Sequence, residues 1–233
     1  MRAALLLSSL VLASTAHADV LGLTAEIGAF SPDATVKFSD HNTPSNTTDM
    51  DADSSRYYGI AFEHPLPLIP NIRLQGTSLE SEGTVTSNVI FDGQVLSGQA
   101  KLDLSHTDYT FYYEFLDGLL WLDLDAGLTL RDFDGSIELN SEKSDLSEII
   151  PMGYISAYAK IPGTSVSVGG ELKTMAYGDS SITDTTIKVK YETPFLVGIE
   201  GGYRSMDIDL VDVDNKDVYS ESSGVFIGAF IDF

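Results

Sequence analysis

The chain has 233 residues, 35 Asp and Glu against 13 Lys and Arg, a formal net charge of -22, and no cysteine. So acidic a chain carries no basic footprint for nucleic acid or anionic headgroups, and it offers neither disulfides nor thiol chemistry. Its hydrophobic fraction of 43% is too high for an acidic disordered tail, so acid and apolar residues must occupy different surfaces of a folded domain.

Met1-Arg2 form a short positive region, Ala3 to Ala13 are largely apolar, and Ala16-His17-Ala18 fits a small-x-small cleavage site. That is the pattern of a secretory signal peptide over residues 1–18, leaving a single domain over 19–233. No later apolar stretch approaches the roughly 20 residues of a membrane-spanning helix, so any membrane crossing is by strands. Period-two alternation predicts strands near 20–30, 57–64, 72–80, 101–115, 120–133, 148–161, 165–175, 184–192, 196–207 and 222–233. Short turns are expected at Pro65–Asn71, Leu116–Leu119, Pro162–Thr164 and Thr193–Phe195. Between them, polar stretches at 31–56, 81–100, 134–147, 176–183 and 208–221 read as long loops, the asymmetry of membrane barrels. Pro32 and Pro44 fall in the first of these loops, and Pro151 at a strand start, where a missing donor is tolerated. Phe115, Trp121, Phe195 and Phe233 are expected near the short turns and Tyr58, Tyr109 and Tyr203 toward the loops, forming two aromatic girdles.

The closing run places Val225, Ile227, Ala229, Ile231 and Phe233 on one face of a strand. An amphipathic strand ending on Phe resembles the terminal strand of Gram-negative outer-membrane β-barrels. The resemblance implies residence in the cell outer membrane, contact with the lipid bilayer and lipopolysaccharide, and Phe233 as a signal to the outer-membrane assembly machinery. The expected fold is all-β, a transmembrane antiparallel up-and-down barrel of about ten strands, with eight as the alternative.

With the apolar parity turned outward, the opposite parity lists the lumen. Its acids are Glu26, Glu63, Glu114, Asp123, Asp125, Glu171, Glu200 and Asp232; its bases are Arg73, Arg131, Lys160, Lys173, Lys188, Lys190 and Arg204. Near balance of opposite charges in a narrow barrel points to a paired, filled interior, because buried charge is costly unless paired. A narrow pore with charged rings is the alternative.

The acidic surplus falls in the predicted loops, where Ca²⁺ or Mg²⁺ would find oxygen ligands. Asp49-Met50-Asp51-Ala52-Asp53 begins like an EF-hand, but Ser54 and Ile60 occupy the glycine and bidentate-glutamate positions. No cofactor is expected, and solvated acidic loops that admit divalent cations are the reading retained. His106 and Asp108, two residues apart on one face, form a pair expected at the rim that resembles the His–Asp pair of the ten-stranded omptin proteases. The chain is shorter than an omptin, lacks a second acidic pair in the matching place, and carries no G-x-S-x-G turn, so catalysis is not expected.

Val197-Gly198-Ile199-Glu200-Gly201-Gly202-Tyr203-Arg204, with a second pair at Gly169-Gly170, resembles an uncharacterised outer-membrane barrel family marked by a Gly-Gly motif. That resemblance implies a fold and a location without a substrate. Adjacent glycines leave room for a bulky neighbour, for which Tyr203 or Trp121 is expected. The function expected is a non-enzymatic structural or surface-interaction barrel; the alternatives are a cation-preferring passive channel and, third, a barrel enzyme using His106 and Asp108.

Overall fold

The computed structural model describes residues 21–233 apart from 47, 53–54, 67, 116–120, 141 and 214. The leader expected over 1–18, the turn at Leu116–Leu119, and Asp53 and Ser54 lie outside the described residues. The strands are β1 (Gly22–Asp40), β2 (Thr48–Ala52), β3 (Ser55–Glu63), β4 (Asn71–Thr77), β5 (Glu80–Phe91), β6 (Gln94–Asp103) and β7 (His106–Phe115). They continue as β8 (Leu122–Leu139), β9 (Glu142–Lys160), β10 (Val166–Tyr177), β11 (Ser180–Glu192), β12 (Val197–Val213) and β13 (Lys216–Asp232).

β2 and β3, either side of residues 53 and 54, both pair with β1 in one stave, and two further long strands are interrupted where β4 runs on into β5 and β6 into β7. Thr77 lies opposite His106 and Glu80 opposite Asp103, so register is kept across the last two breaks. Ten antiparallel staves therefore stand side by side, and β13 pairs with β1 to close the ring.

Side chains alternate in and out along every stave, but what they carry changes partway up. On β12, Val197, Ile199 and Tyr203 point outward and are exposed, while Glu200 and Arg204 are buried inside. Beyond Arg204 the polarities exchange: Met206, Ile208 and Leu210 are buried, and Ser205, Asp207 and Asp209 face out. β8 repeats the change, with Leu128 and Leu130 outside Thr129 and Arg131, then Phe133, Ile137 and Leu139 inside. The lower half is a barrel built for an apolar exterior and the upper half a barrel built for water. On β8 the outward apolar belt from Leu122 to Leu130 covers roughly 20 Å of height at the usual strand tilt. Tyr58, Tyr109 and Tyr203 ring its upper margin and Phe115, Trp121, Phe195 and Phe233 its lower one, all seven exposed on the outer surface.

The long polar stretches are thus strands rather than loops. They alternate with the polar residues outward, so scanning for an apolar outer face passes over them. Tight turns join them: Asp92 and Gly93 both have positive φ, 51° and 70°, as a two-residue hairpin that follows the strand twist requires. Asn140, Gly178 and Asn215 supply positive φ at the others. Asp49-Met50-Asp51 is likewise strand, with Met50 buried in the core.

The prolines mark interruptions in the ladders. Pro32 lies within β1, where the partner changes from β3, last paired at Phe30–Ser55, to β2, first paired at Ala34–Met50. Pro151 lies in the middle of β9, not at its start, two residues beyond Gly153, the last to pair with β10. The missing N–H of Pro151 falls beyond the end of the β10 ladder, where no pairing is lost.

The upper core gathers Val36, Phe38, Phe91, Leu102, Ile137, Leu139 and Ile208, with Phe38 and Phe91 edge-to-face at 6.0 Å. Ile137→Ala should cost about 2–4 kcal/mol of unfolding free energy in urea titrations, by lost burial and the cavity left behind. Ile227→Ala, 70% exposed on the outer belt, should cost clearly less. Equal losses would contradict a packed upper core.

Candidate functional site

The middle of the barrel is crossed by two linked ion-pair clusters. In the upper one, Arg131 donates from Nε and Nη2 to the two carboxylate oxygens of Asp108, both at 2.8 Å, and from Nη2 to Asp184 at 2.6 Å. Arg204 forks onto Asp184 at 2.9 and 2.7 Å, and Lys173 donates to Asp108 at 2.7 Å. In the lower one, Arg73 donates to Glu26 and Glu171. Lys188 lies 3.2, 3.8 and 3.0 Å from Glu26, Glu171 and Glu200.

The upper cluster has three bases and two acids, and the lower two bases and three acids, so the layer is neutral only as a whole. Gln75 joins the halves, accepting from Lys173 at 2.7 Å and donating to Glu26 at 3.2 Å. Tyr57 spans the interior to Glu200 at 2.6 Å. It lies across Gly28 and Gly228, where a Cβ would come within 2.5 Å of its ring and of its hydroxyl respectively. A cavity of about 30 Å³ between the clusters and Phe30 and Phe226 has room for a water or two.

Other residues expected in the lumen sit lower. Glu63 accepts from Tyr112 at 2.7 Å, Asp125 from Ser156 at 2.6 Å, and Asp123 lies 3.5 Å from Lys160 near the rim. Lys190 packs its ammonium 4.8 Å from the Tyr158 ring and 5.4 Å from that of Phe230. Glu114 has the inward parity but is exposed at the strand's lower end. Asp184 is absent from the sequence-derived lumen because it opens the strand expected at 184–192, beside a supposed loop. Its inward parity with Lys188 is the signal that identifies it.

Two placements differ from expectation. His106 and Asp108, expected at the rim, are buried inside, 4% and 1% exposed, and Asp108 is held by Arg131 and Lys173. His106 Nδ1 bonds the Leu104 carbonyl at 2.8 Å, and its ring meets Phe133 edge-on. His106, Asp108 and Asp184 bring ligand atoms within 4.8 Å of one another. Arg131, Lys173 and Arg204 already outnumber the two carboxylates there, so a divalent ion would only add to a positive excess. The glycine pairs, in turn, accommodate neither Tyr203 nor Trp121: a Cβ at Gly202 would strike the Ile187 backbone, and one at Gly169 would meet Ala157 and Tyr158.

Above the apolar core an ionic cap ties three turns together. Buried Lys216 donates to Asp40 and Asp92, and Asp40 accepts the backbone N–H groups of Asp92 and Gly93. Beside it His41 Nδ1 lies 2.7 Å from Asp217, which also accepts the backbone N–H of Asp212 at 3.0 Å. The hydrogen bond to Asp217 raises the imidazole pKa against a weaker opposing effect of desolvation. Desolvation pushes the Asp217 carboxyl up, but His41 and the backbone donors outweigh it and hold the pKa low.

Neither a family profile nor a curated protein matches this chain. Among solved structures it is similar to the outer-membrane protease OmpT of Escherichia coli, at 12% identity and TM-score 0.55, over 91% of this chain and 97% of that one. It also aligns with the translocator domain of the autotransporter NalP from Neisseria meningitidis, at 9% identity and TM-score 0.41, over 97% and 92% of the two chains. Neisserial surface protein A aligns at 15% identity and TM-score 0.37, over 91% and 97%. These neighbours are outer-membrane β-barrels, and the OmpT likeness establishes the fold alone.

Arg131→Met should lower unfolding free energy by about 3–5 kcal/mol, because it leaves Asp108 and Asp184 short of a partner. Adding Asp108→Asn should recover part of the loss; no recovery in urea titrations would contradict the pairing. At the cap, the raised His41 pKa contributes stability fully below about pH 6.5 and loses it as pH rises through the folded value. The depressed Asp217 pKa contributes above about pH 3.9 and loses that as pH falls. The pair should be strongest between about pH 4 and 6.5, and His41→Gln should flatten the decline in melting temperature above that window.

Proposed function

We propose that this chain is a closed, non-enzymatic outer-membrane barrel whose acidic extracellular extension serves as a surface platform for cationic partners. The division of charge carries this reading. The mid-barrel acids are spent on buried bases, whereas Asp33, Asp49, Asp51, Asp207, Asp209 and Glu221 point outward from the upper wall. Asp207 and Glu221 lie directly opposite across β12 and β13, and such a like-charge pair is tolerable only in water or beside a counter-cation. Divalent cations and lysine-rich polypeptides are the chemistry that fits, and the same field would draw them in from solution.

A passive channel would need water to pass Val36, Phe38, Ile137, Leu139, Met206 and Ile208, none more than 3% exposed. The barrel-enzyme reading leans on His106 and Asp108, which face inward beneath that core, with Asp108 engaged by two cations. OmpT is a protease by name, but the likeness extends to the fold and not to an exposed His–Asp pair here.

The folded chain should leave a planar bilayer electrically silent and should bind a lysine-rich peptide with affinity that falls steeply as salt rises. Steady cation-selective openings would favour the channel, and salt-insensitive binding would remove the acidic platform.

A further inference from the structure

β10 and β11 form the lowest part of the upper wall. β10 pairs with β9 only from Ser167–Lys160 to Thr174–Gly153, and their hairpin turns at Gly178-Asp179. β9 continues upward from there to Glu142, paired only with β8 among the described residues. The N–H of Lys160 bonds Trp121 and that of Ile161 bonds Val166, so even residues of β9 address β8 and odd ones the β10 side. With the β8 register unbroken, Lys143, Asp145, Ser147 and Ile149 turn both N–H and C=O to an open side.

The opposite bank of the gap is finished differently. There Ser180 Oγ accepts the N–H of Val211 at 2.9 Å. On β9, Glu148 has the inward parity between buried Leu146 and Ile150, yet it is exposed, as a side chain beside an unfilled opening would be.

We infer that this edge of β9 receives an extended, basic segment of another polypeptide as an added antiparallel strand. The inference rests on the acidic-platform reading and names where on the platform the partner docks. Strand addition gives affinity through main-chain hydrogen bonds and specificity through alternate side chains. Asp145 and Glu148, with Asp132 and Asp134 across the ladder from Ile149 and Ser147, surround the edge with negative charge. Lys143 opposes it, but lies 3.6 Å from Glu138 and 3.9 Å from Asp145. Charges at an open edge keep neutral apolar strands away, and acidic ones still admit a strand bearing Lys or Arg. The incoming strand would carry its bases outward and apolar residues toward Leu146 and Ile150. A second copy in the same membrane does not suit: its β9 would run in the same direction and, at a tilt of about 40°, cross this one too steeply to continue the sheet.

The test uses the full chain folded in lipid nanodiscs and a labelled peptide alternating Lys with Val and Thr. A second peptide of identical charge carries N-methyl groups on alternate amides, which blocks strand pairing. The first should bind, slowing amide exchange at Lys143, Asp145, Ser147 and Ile149, and N-methylation should weaken it about tenfold or more. Ser147→Pro should weaken it similarly while sparing the β8 ladder, because the lost N–H faces the open side. If Ser147→Pro does not fold, the N-methylated peptide still decides. Equal binding of both peptides, without amide protection, overturns the docking edge and leaves the acidic platform standing. Binding of neither peptide sinks both readings.

Discussion

Arg131 is fully buried while held by one carboxylate on the neighbouring strand β7 and another across the lumen on β11, and the barrel's other features follow from having to satisfy charges like it. Two clusters of opposite excess, joined through Gln75, make a layer that is neutral only when complete. A buried network of this kind adds little net stability over an apolar packing, but breaking it is expensive. Its contribution is therefore to specification. A one-residue slip of any stave would turn its charges outward and its apolar residues into the ion pairs, which fixes the register of the whole ring.

The layer also marks a boundary between two solvents. Below and around it the wall is apolar outside and polar within; above it the arrangement reverses, and the interior becomes an ordinary hydrophobic core. One strand such as β12 serves both regimes without a break, because alternation is a property of the backbone and is indifferent to which face is wet. Tyr57 and Phe226, edge-to-face at 5.8 Å, sit at this junction, with the Tyr57 hydroxyl in the charged layer and its ring against the aromatic above.

Much of this was legible in the amino-acid order. The outward belt, the girdle aromatics and the interior bases followed from parity alone, and the barrel follows from them. The extended upper wall did not, since an acid-bearing outer face suggests a loop once an apolar outer face is the only pattern sought. Asp92-Gly93, between Val89-Ile90-Phe91 and Val95-Leu96, is a strong hairpin signal that argued otherwise. The burial of His106 and the pairing of Asp184 were beyond a one-dimensional reading, because they depend on which strands face each other across the lumen. The free edge of β9 was hidden for the same reason: it arises from the difference in height between neighbouring hairpins.

The central claim is that the upper barrel is dry inside although its wall stands in water. The chain has no cysteine, so single cysteines along β12 can be probed without background. The rate of labelling by a membrane-impermeant maleimide at positions 205 through 210 is the most direct measurement. The account predicts fast reaction at Ser205→Cys, Asp207→Cys and Asp209→Cys, and protection at Met206→Cys, Ile208→Cys and Leu210→Cys until the protein is unfolded. Comparable rates at all six positions would mean a water-filled lumen and would contradict it.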